Sequence, residues 1–186
     1  MKSEKINTIP NFLTLSRIII LIIMWFFFFK EQKTTIGILL IIALSTDFLD
    51  GFLARKLNQE TKFGAKFDSI ADNILGLSII IWIPFLLKEM FFNNITIISI
   101  TIGLTIISWL IATIKFKRNP QFHLISNKIS VIIGGTFIIH SLIFNYNKIL
   151  LYLTLLTFIY VAIEELIITI KNKDINENIK SVFQIK

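Results

Sequence analysis

The sequence lacks cysteine, is short of charged residues and contains only two histidines. Without cysteine the chain can form neither disulfides nor thiolate centres, and two histidines alone make a structural zinc site an unfavoured prediction. Charged residues make up 17% of the chain, against about 25% in an average soluble domain. Apolar residues make up 54% of its 186 residues. This composition predicts an integral membrane protein rather than a soluble one.

Long apolar segments alternate with short polar ones along the chain. Because a membrane helix needs about 20 mostly apolar residues, the pattern predicts an all-α membrane bundle of six transmembrane helices with a cytoplasm-facing polar cavity. The predicted spans are residues 12–29, 34–54, 64–87, 95–114, 128–144 and 149–170. We expect one membrane domain over residues 1–170, a polar cytoplasmic tail over residues 171–186, and short turns at residues 88–94 and 145–148. Pro84 should kink or end the third helix.

The distribution of basic residues predicts the orientation in the membrane. The net charge of +7 could indicate a nucleic-acid ligand, but the charges lie in clusters between the apolar segments. Fifteen of the 19 basic residues fall on the side that holds both termini, and four fall on the other side. Since cytoplasmic loops carry the excess of lysine and arginine, both termini and the loop after the second span are predicted to be cytoplasmic.

Four aspartates lie at the cytoplasmic ends of the second and third spans: Asp47, Asp50, Asp68 and Asp72. Carboxylates inside a membrane are costly and usually functional. The members of the first pair are three residues apart and those of the second four apart, so each pair shares one helix face. At 1.5 Å per residue, both pairs reach about 12 Å below the loop that joins their helices. We therefore expect the two pairs to meet at one level.

A cluster of four carboxylates needs cations to neutralise its negative charge. Two carboxylates 4 Å apart repel by about 4 kcal/mol at an effective dielectric of 20. Oxygen ligands suit magnesium, manganese or calcium, and paired divalent ions serve displacement at phosphates. Gly51 and Ala54 leave space beside the aspartate face, Arg55 can bind phosphate, and Gly64 opens a helix whose free N–H groups would attract an anion.

The stretch from Asp47 to Asp72 reads D-x2-D-G-x2-A-R-x8-G-x3-D-x3-D, which resembles the signature of the CDP-alcohol phosphatidyltransferases. Every fixed position of the signature is present: Asp47, Asp50, Gly51, Ala54, Arg55, Gly64, Asp68 and Asp72. The similarity of length and six-helix layout extends the resemblance over most of the chain. It implies transfer of a phosphatidyl group from CDP-diacylglycerol to an alcohol, with release of CMP, in phospholipid biosynthesis.

The resemblance also implies roles for individual residues. The four aspartates would hold two Mg²⁺ or Mn²⁺ ions, and Asp72 would be the catalytic base toward the acceptor hydroxyl. The implied CDP contacts are Asp47, Gly51, Ala54, Arg55, Gly64 and Asp68. A homodimer is usual in the family and is expected here on that ground alone.

The acceptor alcohol is open at this point. The stretch from Pro10 to Arg17, P-N-F-L-T-L-S-R, is similar to the start of bacterial phosphatidylglycerophosphate synthases, whose acceptor is glycerol 3-phosphate. It can equally be read as an interfacial helix start with Arg17 as an anchor. Asn73 stands where those synthases usually have lysine, and their G-K-x-K-T-like stretch is missing. Inositol phosphate or serine therefore stay alternatives, and the candidate acceptor-binding residues are Arg118, His123 and Lys128.

Two other classes of function compete with the transferase. A cation or proton transporter would also use intramembrane aspartates, but it leaves Arg55 and the glycines unexplained, and no inverted repeat is visible. A catalytically silent scaffold would be expected to have lost an aspartate. We interpret the pair Gly134-Gly135 as a helix-packing site and His140 as a packed neutral side chain. Of Glu164 and Glu165, adjacent on one helix, at most one can face a cavity.

Overall fold

The computed structural model describes residues 9–57, 61–117, 122, 124–172 and 179–184. This part of the chain is helical and contains no β-strand, in agreement with the predicted all-α class. The helices are α1 (Ile9–Phe29), α2 (Lys33–Lys56), α3 (Lys62–Leu86), α4 (Lys88–Asn93), α5 (Ile95–Phe116), α6 (Ile125–Ile143) and α7 (Lys148–Lys171), followed by a 3₁₀ helix, Val182–Gln184.

Six of these helices are long and apolar enough to cross a membrane, which confirms the predicted number of spans. Their membrane-length segments are Asn11–Phe29, Lys33–Lys56, Gly64–Leu86, Ile95–Phe116, Ile125–Ile143 and Lys148–Lys171. Large apolar side chains are exposed along all six, for example Phe48, Ile80 and Ile149. In a membrane these side chains meet lipid, so the chain is a multi-pass membrane protein.

The connections differ from the predicted ones at one place. Residues 88–94 were expected to form a short turn, but Lys88–Asn93 is a helix, so that prediction is wrong. Met90 is buried in it, and the Asn94 side chain donates a hydrogen bond to the Met90 carbonyl (2.8 Å), which closes the segment. The core contact of an apolar residue thus stabilises a turn of helix that its few residues would not form alone. Pro84 lies inside α3, which ends at Leu86 as expected near a proline.

The chain divides into two compact units. The first comprises Met1–Lys88 and Ile139–Asn145, and the second comprises Glu89–Ile138 and Tyr146–Lys186. In the first unit α1 packs against both α2 and α3, and it makes more contact with each than they make with one another. The indole N–H of Trp25 on α1 donates to Ser78 on α3 (3.0 Å), beside the ring of Trp82. Helix α1 is therefore the element that joins the two aspartate-bearing helices.

In the second unit α5 packs against α7, and residues 179–184 pack onto the same core. The buried residues of this core are Ala112, Phe122, Leu124, Ile168 and Ile179. Within the predicted polar tail, residues 171–186, Ile179 is only 6% exposed and Val182 packs against the same core. A Cβ on Gly134 would lie 3.2 Å from the Phe158 ring, which supports the packing interpretation of that glycine.

Candidate active site

The four aspartates meet around one side chain that comes from a third helix, Arg17 of α1. Its Nη2 lies 2.8 Å from Asp47 Oδ1 and 2.6 Å from Asp50 Oδ2. Its Nη1 lies 2.8 Å from Asp68 Oδ1 and 2.9 Å from Asp72 Oδ1. Each terminal nitrogen thus binds one aspartate pair, so the guanidinium spans α2 and α3. The predicted meeting of the two pairs is present, but it takes place through α1.

Burial divides the cluster into an inner and an outer part. Arg17 is 2% exposed and the Asp50 side chain 7%, whereas the side chains of Asp47, Asp68 and Asp72 are 41%, 37% and 53% exposed. The site therefore has a buried inner part formed by Asp50 and Arg17 and an open rim formed by the other three carboxylates. The three rim carboxylates are therefore the ones that a ligand can reach first.

The donor set fits a hard divalent cation. One carboxylate oxygen from each of Asp47, Asp50 and Asp68 lies within 4.8 Å of the others. All three are charged oxygen donors, the class that magnesium and manganese prefer. Asp72 lies outside this group but shares the Arg17 Nη1 with Asp68. The four residues predicted as metal ligands are thus close together.

The beginning of α1 supports this site through two further residues. The Thr14 hydroxyl, itself buried, donates to Asp50 Oδ2 at 3.2 Å. A Cβ on Gly64 would lie 2.6 Å from Asn11 Oδ1, so this glycine admits the close approach of α1 to the start of α3. Asn11, Thr14 and Arg17 follow one another at intervals of three residues on one side of α1. The stretch Pro10–Arg17 is thus part of the site, not only an interfacial start.

The backbone N–H of Gly64 has a partner at the start of its own helix. Helix α3 begins at Lys62 with Thr61 as its N-cap, and the Thr61 hydroxyl accepts a hydrogen bond from the Gly64 N–H (2.9 Å). The Gly64 N–H itself is therefore not open to an anion, and anion binding by the other amides at the start of this helix stays a prediction. The hydrogen bond to Thr61 is an N-cap interaction, in which a threonine hydroxyl satisfies one of the first amides of the helix. Gly64 stays a predicted CDP contact, as the resemblance implies.

Of the remaining predicted CDP and acceptor contacts, some lie in described helices and some lie outside the described residues. Ala54 and Arg55 lie in the last turn of α2, half-buried and exposed respectively, and Gly51 lies in the same helix. Lys128 is exposed in the first turns of α6, in the second unit. Arg118 and His123, the other candidate acceptor contacts, lie outside the described residues. Their assignment to the acceptor stays a prediction.

The adjacent glutamates of α7 bind within the second unit. Glu164 is 2% exposed and accepts hydrogen bonds from the Ser126 hydroxyl, from the Ser181 hydroxyl (3.0 Å) and from the Val182 N–H (2.8 Å). Glu165 accepts from Ser108 at 3.4 Å. Glu164 therefore connects both the start of α6 and residues 181–182 to α7. Sequence spacing did not indicate these contacts.

Comparison with known proteins agrees with the arrangement of the aspartates. The family model described as CDP-alcohol phosphatidyltransferase matches residues 7–160. The chain belongs to the CDP-alcohol phosphatidyltransferase family. The predicted family is thereby confirmed, and the matched region contains α1, α2 and α3 with every aspartate of the cluster. No solved structure matches the chain.

Several curated bacterial proteins are similar to the chain, and those compared carry the name CDP-diacylglycerol–glycerol-3-phosphate 3-phosphatidyltransferase. The protein of Aquifex aeolicus is 32% identical over 61% of this chain and 64% of its own length. That of Wigglesworthia glossinidia brevipalpis is 34% identical over 69% of this chain and 79% of its own length. That of Escherichia coli K12 is 37% identical over 36% of this chain and 38% of its own length. The chain thus spans less than two thirds of the Aquifex and Escherichia relatives.

Proposed function

We propose that this protein transfers a phosphatidyl group from CDP-diacylglycerol to glycerol 3-phosphate, with release of CMP, in a metal-dependent reaction of phospholipid biosynthesis. The observation that carries the proposal is the convergence of all four signature aspartates, from α2 and α3, on one guanidinium. Family membership supports the donor and the reaction class. The names of the relatives support the acceptor.

The aspartates hold two Mg²⁺ or Mn²⁺ ions in this proposal. When bound, the ions supply charge neutralisation at the pyrophosphate of the CDP-linked lipid. Three of the carboxylates have oxygens within 4.8 Å of one another, which supports a shared site. The nucleotide lies against the cytoplasmic ends of α2 and α3, where Gly51 and Ala54 provide space and Arg55 binds a phosphate oxygen. Gly64 is a further CDP contact, as the resemblance implies. Asp47 and Asp68 complete the CDP contacts.

Asp72 is the general base of the proposed reaction. Its side chain is the most exposed of the four, at 53%, and it lies outside the three-carboxylate group. It takes the proton of the acceptor hydroxyl, whose oxygen then attacks the β-phosphorus of the donor. The bond from this phosphorus to the oxygen of CMP breaks, and CMP leaves with the electron pair. The acceptor oxygen becomes part of the new phosphodiester.

The acceptor phosphate is bound by Lys128, Arg118 and His123 in this proposal, because they are the candidate cationic or polar groups of the loop before α6 and its first turns. The reaction takes place at the cytoplasmic face, as the distribution of basic residues supports. The working form is a homodimer, by analogy with the family. Serine or inositol phosphate are the alternative acceptors, since Asn73 departs from the usual pattern of the glycerol 3-phosphate enzymes.

The purified full-length protein should be assayed for CMP release from CDP-diacylglycerol with Mg²⁺ and, separately, glycerol 3-phosphate, serine and inositol phosphate. We expect release with glycerol 3-phosphate and a lipid product of the corresponding mass. Asp72→Asn should lower the rate by about 100-fold or more, the usual contribution of a general base. Glu89→Gln, which removes a carboxylate of α4 outside the cluster, is the matched control and should keep the rate.

The outcomes separate the parts of the proposal. Release with serine or inositol phosphate alone would overturn the acceptor and leave the donor chemistry in place. Absence of CMP release with every acceptor would overturn the enzyme itself. An Asp72→Asn variant as active as the parent would show that Asp72 is not the general base.

A further inference from the structure

Arg17 occupies the place toward which all four signature carboxylates point. Its two terminal nitrogens lie 2.6–2.9 Å from one oxygen of each aspartate. Three helices contribute to this contact, and the guanidinium itself is 2% exposed. Such burial and such a number of partners are not those of an interfacial anchor, whose charged end lies in water.

One guanidinium does not balance the cluster. Four carboxylates carry four negative charges and Arg17 supplies one positive charge, so the arrangement keeps a strong attraction for further cations. In addition, the Arg17 Nε is buried and has no hydrogen-bond partner within the described part of the structure. A buried N–H without a partner is unfavourable. The paired state of Arg17 is thus incompletely satisfied in both charge and hydrogen bonding.

The paired state also opposes binding of a metal ion to the same oxygens, because two cationic groups would then share them. Magnesium binds carboxylate oxygens at about 2.0–2.1 Å, whereas Arg17 holds Asp50 Oδ2 at 2.6 Å and Asp68 Oδ1 at 2.8 Å. A cation and the guanidinium on Asp50 Oδ2 would lie close together in the buried part of the site, where like charges repel strongly. Only one of them can hold the centre of the cluster.

We propose that Arg17 is an internal counter-cation that competes with divalent ions for the four aspartates. In the metal-free protein it keeps the carboxylates of α2 and α3 together. When divalent ions bind, the guanidinium releases the carboxylates, so the metal affinity of the site is set partly by Arg17. This inference rests on the metal site of the proposed function but concerns binding alone.

The test is a titration of the purified protein with Mn²⁺ in the absence of substrate, with free Mn²⁺ followed by electron paramagnetic resonance. Arg17→Gln should bind Mn²⁺ about tenfold more tightly than the parent, because the competitor is gone. Its melting temperature without metal should fall, and the rise on adding Mn²⁺ should be larger than in the parent. Arg17→Lys keeps the charge without the fork and should lie between the two.

The matched control is Lys66→Gln, which removes an exposed positive charge on α3 two residues before Asp68. It should change the Mn²⁺ affinity by less than about threefold, as expected for a screened surface charge. Equal or weaker Mn²⁺ binding by Arg17→Gln would overturn the competition and make Arg17 a positioning residue. Absence of Mn²⁺ binding by the parent protein would instead contradict the metal site, so the two failures are distinguishable.

A second measurement uses the unaltered protein and does not depend on the folding of a variant. Phenylglyoxal modifies arginine side chains, and mass spectrometry can follow Arg17 against the exposed Arg55 as internal reference. We expect Mn²⁺ to accelerate modification of Arg17 relative to Arg55 by about threefold or more, since release from the carboxylates removes its shielding. An unchanged or slower relative rate would contradict the release.

Discussion

Thr14 is a residue whose effect on the site can be isolated. Its buried hydroxyl donates to Asp50 Oδ2 and carries no charge. Such partners of metal ligands orient the ligand, and their loss usually lowers metal affinity or activity 10–100-fold. We therefore predict that Thr14→Val, which keeps the shape and removes the donor, weakens Mn²⁺ binding by about tenfold or more in the same titration.

The control for Thr14 is Thr136→Val in α6. The Thr136 hydroxyl is exposed and donates to the carbonyl of Ile132 in its own helix (2.8 Å), so its removal should leave Mn²⁺ binding unchanged. A Thr14→Val variant that binds like the parent would show that the Thr14 hydroxyl does not orient Asp50 for the metal ion.

Gly64 is a second residue whose replacement should have a measurable effect, in this case on stability. A Cβ there would lie 2.6 Å from Asn11 Oδ1 and 3.0 Å from Thr61 Oγ1, so both side chains would have to move. We predict that Gly64→Ala lowers the free energy of unfolding by about 1–3 kcal/mol, the usual cost of overpacking, with a lower melting temperature as the measurement.

Gly76 is the matched glycine in the same helix, because a Cβ there would meet no atom within 4 Å. Gly76→Ala should raise stability by about 0.5–1 kcal/mol, since alanine is the better helix residue. If both variants behaved alike, helix propensity and not the contact with Asn11 would determine the effect at Gly64.

Much of the site could be predicted from spacing within single helices. Intervals of three and four residues put each aspartate pair on one face, and a common depth brought the pairs together. Arg17 was underestimated because its partners are on other helices, and local spacing contains no information about such pairs. The available signal was an arginine in an apolar run, with Asn11 and Thr14 at the same three-residue interval. In a membrane this combination indicates a bound charge rather than an anchor.

At the scale of elements, the last described segment and the start of α6 both depend on α7. Glu164 accepts the Val182 N–H at 2.8 Å and the Ser181 hydroxyl at 3.0 Å, and it also binds Ser126. Hydrogen bonds to a charged group contribute about 1.5–3 kcal/mol each. We predict that Glu164→Ala accelerates amide hydrogen exchange at Val182 by about tenfold or more, measured by mass spectrometry of the purified protein.

Glu165→Ala is the control for this prediction. Glu165 is the neighbouring carboxylate and accepts from Ser108 on α5 at 3.4 Å. Its replacement should leave exchange at Val182 as in the parent. Equal acceleration by both variants would point to a general loosening of α7 instead of a local attachment of the chain end.

The elements that sequence patterns missed are the short ones. Six long apolar segments can be predicted as membrane helices from their length, because a helix needs about 20 residues to cross a membrane. Helix α4 has six residues, too few for a periodic pattern, and forms because Met90 is buried. The packing of residues 179–184 depends on Ile179 and on the distant Glu164, neither of which stands out in a polar stretch. Tertiary contacts thus decide these elements.

At the scale of the whole molecule, the orientation in the membrane connects the site with its substrates. The distribution of basic residues predicts that the loops after α2 and α5 and both termini face the cytoplasm. The open rim of the aspartate cluster lies near the end of α2 that leads into such a loop. With this orientation, the proposed CDP-linked substrate would reach the cluster from the cytoplasm, where nucleotides are available.

Because the chain contains no cysteine, single cysteines can be introduced directly, and no native cysteine has to be removed first. We predict that Gln32→Cys and Asn145→Cys react with a membrane-impermeant maleimide on intact spheroplasts, since these exposed residues lie between α1 and α2 and between α6 and α7. Leu57→Cys and Lys171→Cys, exposed at the other ends of α2 and α7, should react only after permeabilisation. The reverse pattern would place the aspartate cluster on the outer face and contradict the proposed access of CDP-diacylglycerol from the cytoplasm. Labelling of all four only after permeabilisation would contradict the predicted crossing of the membrane by α2 and α7.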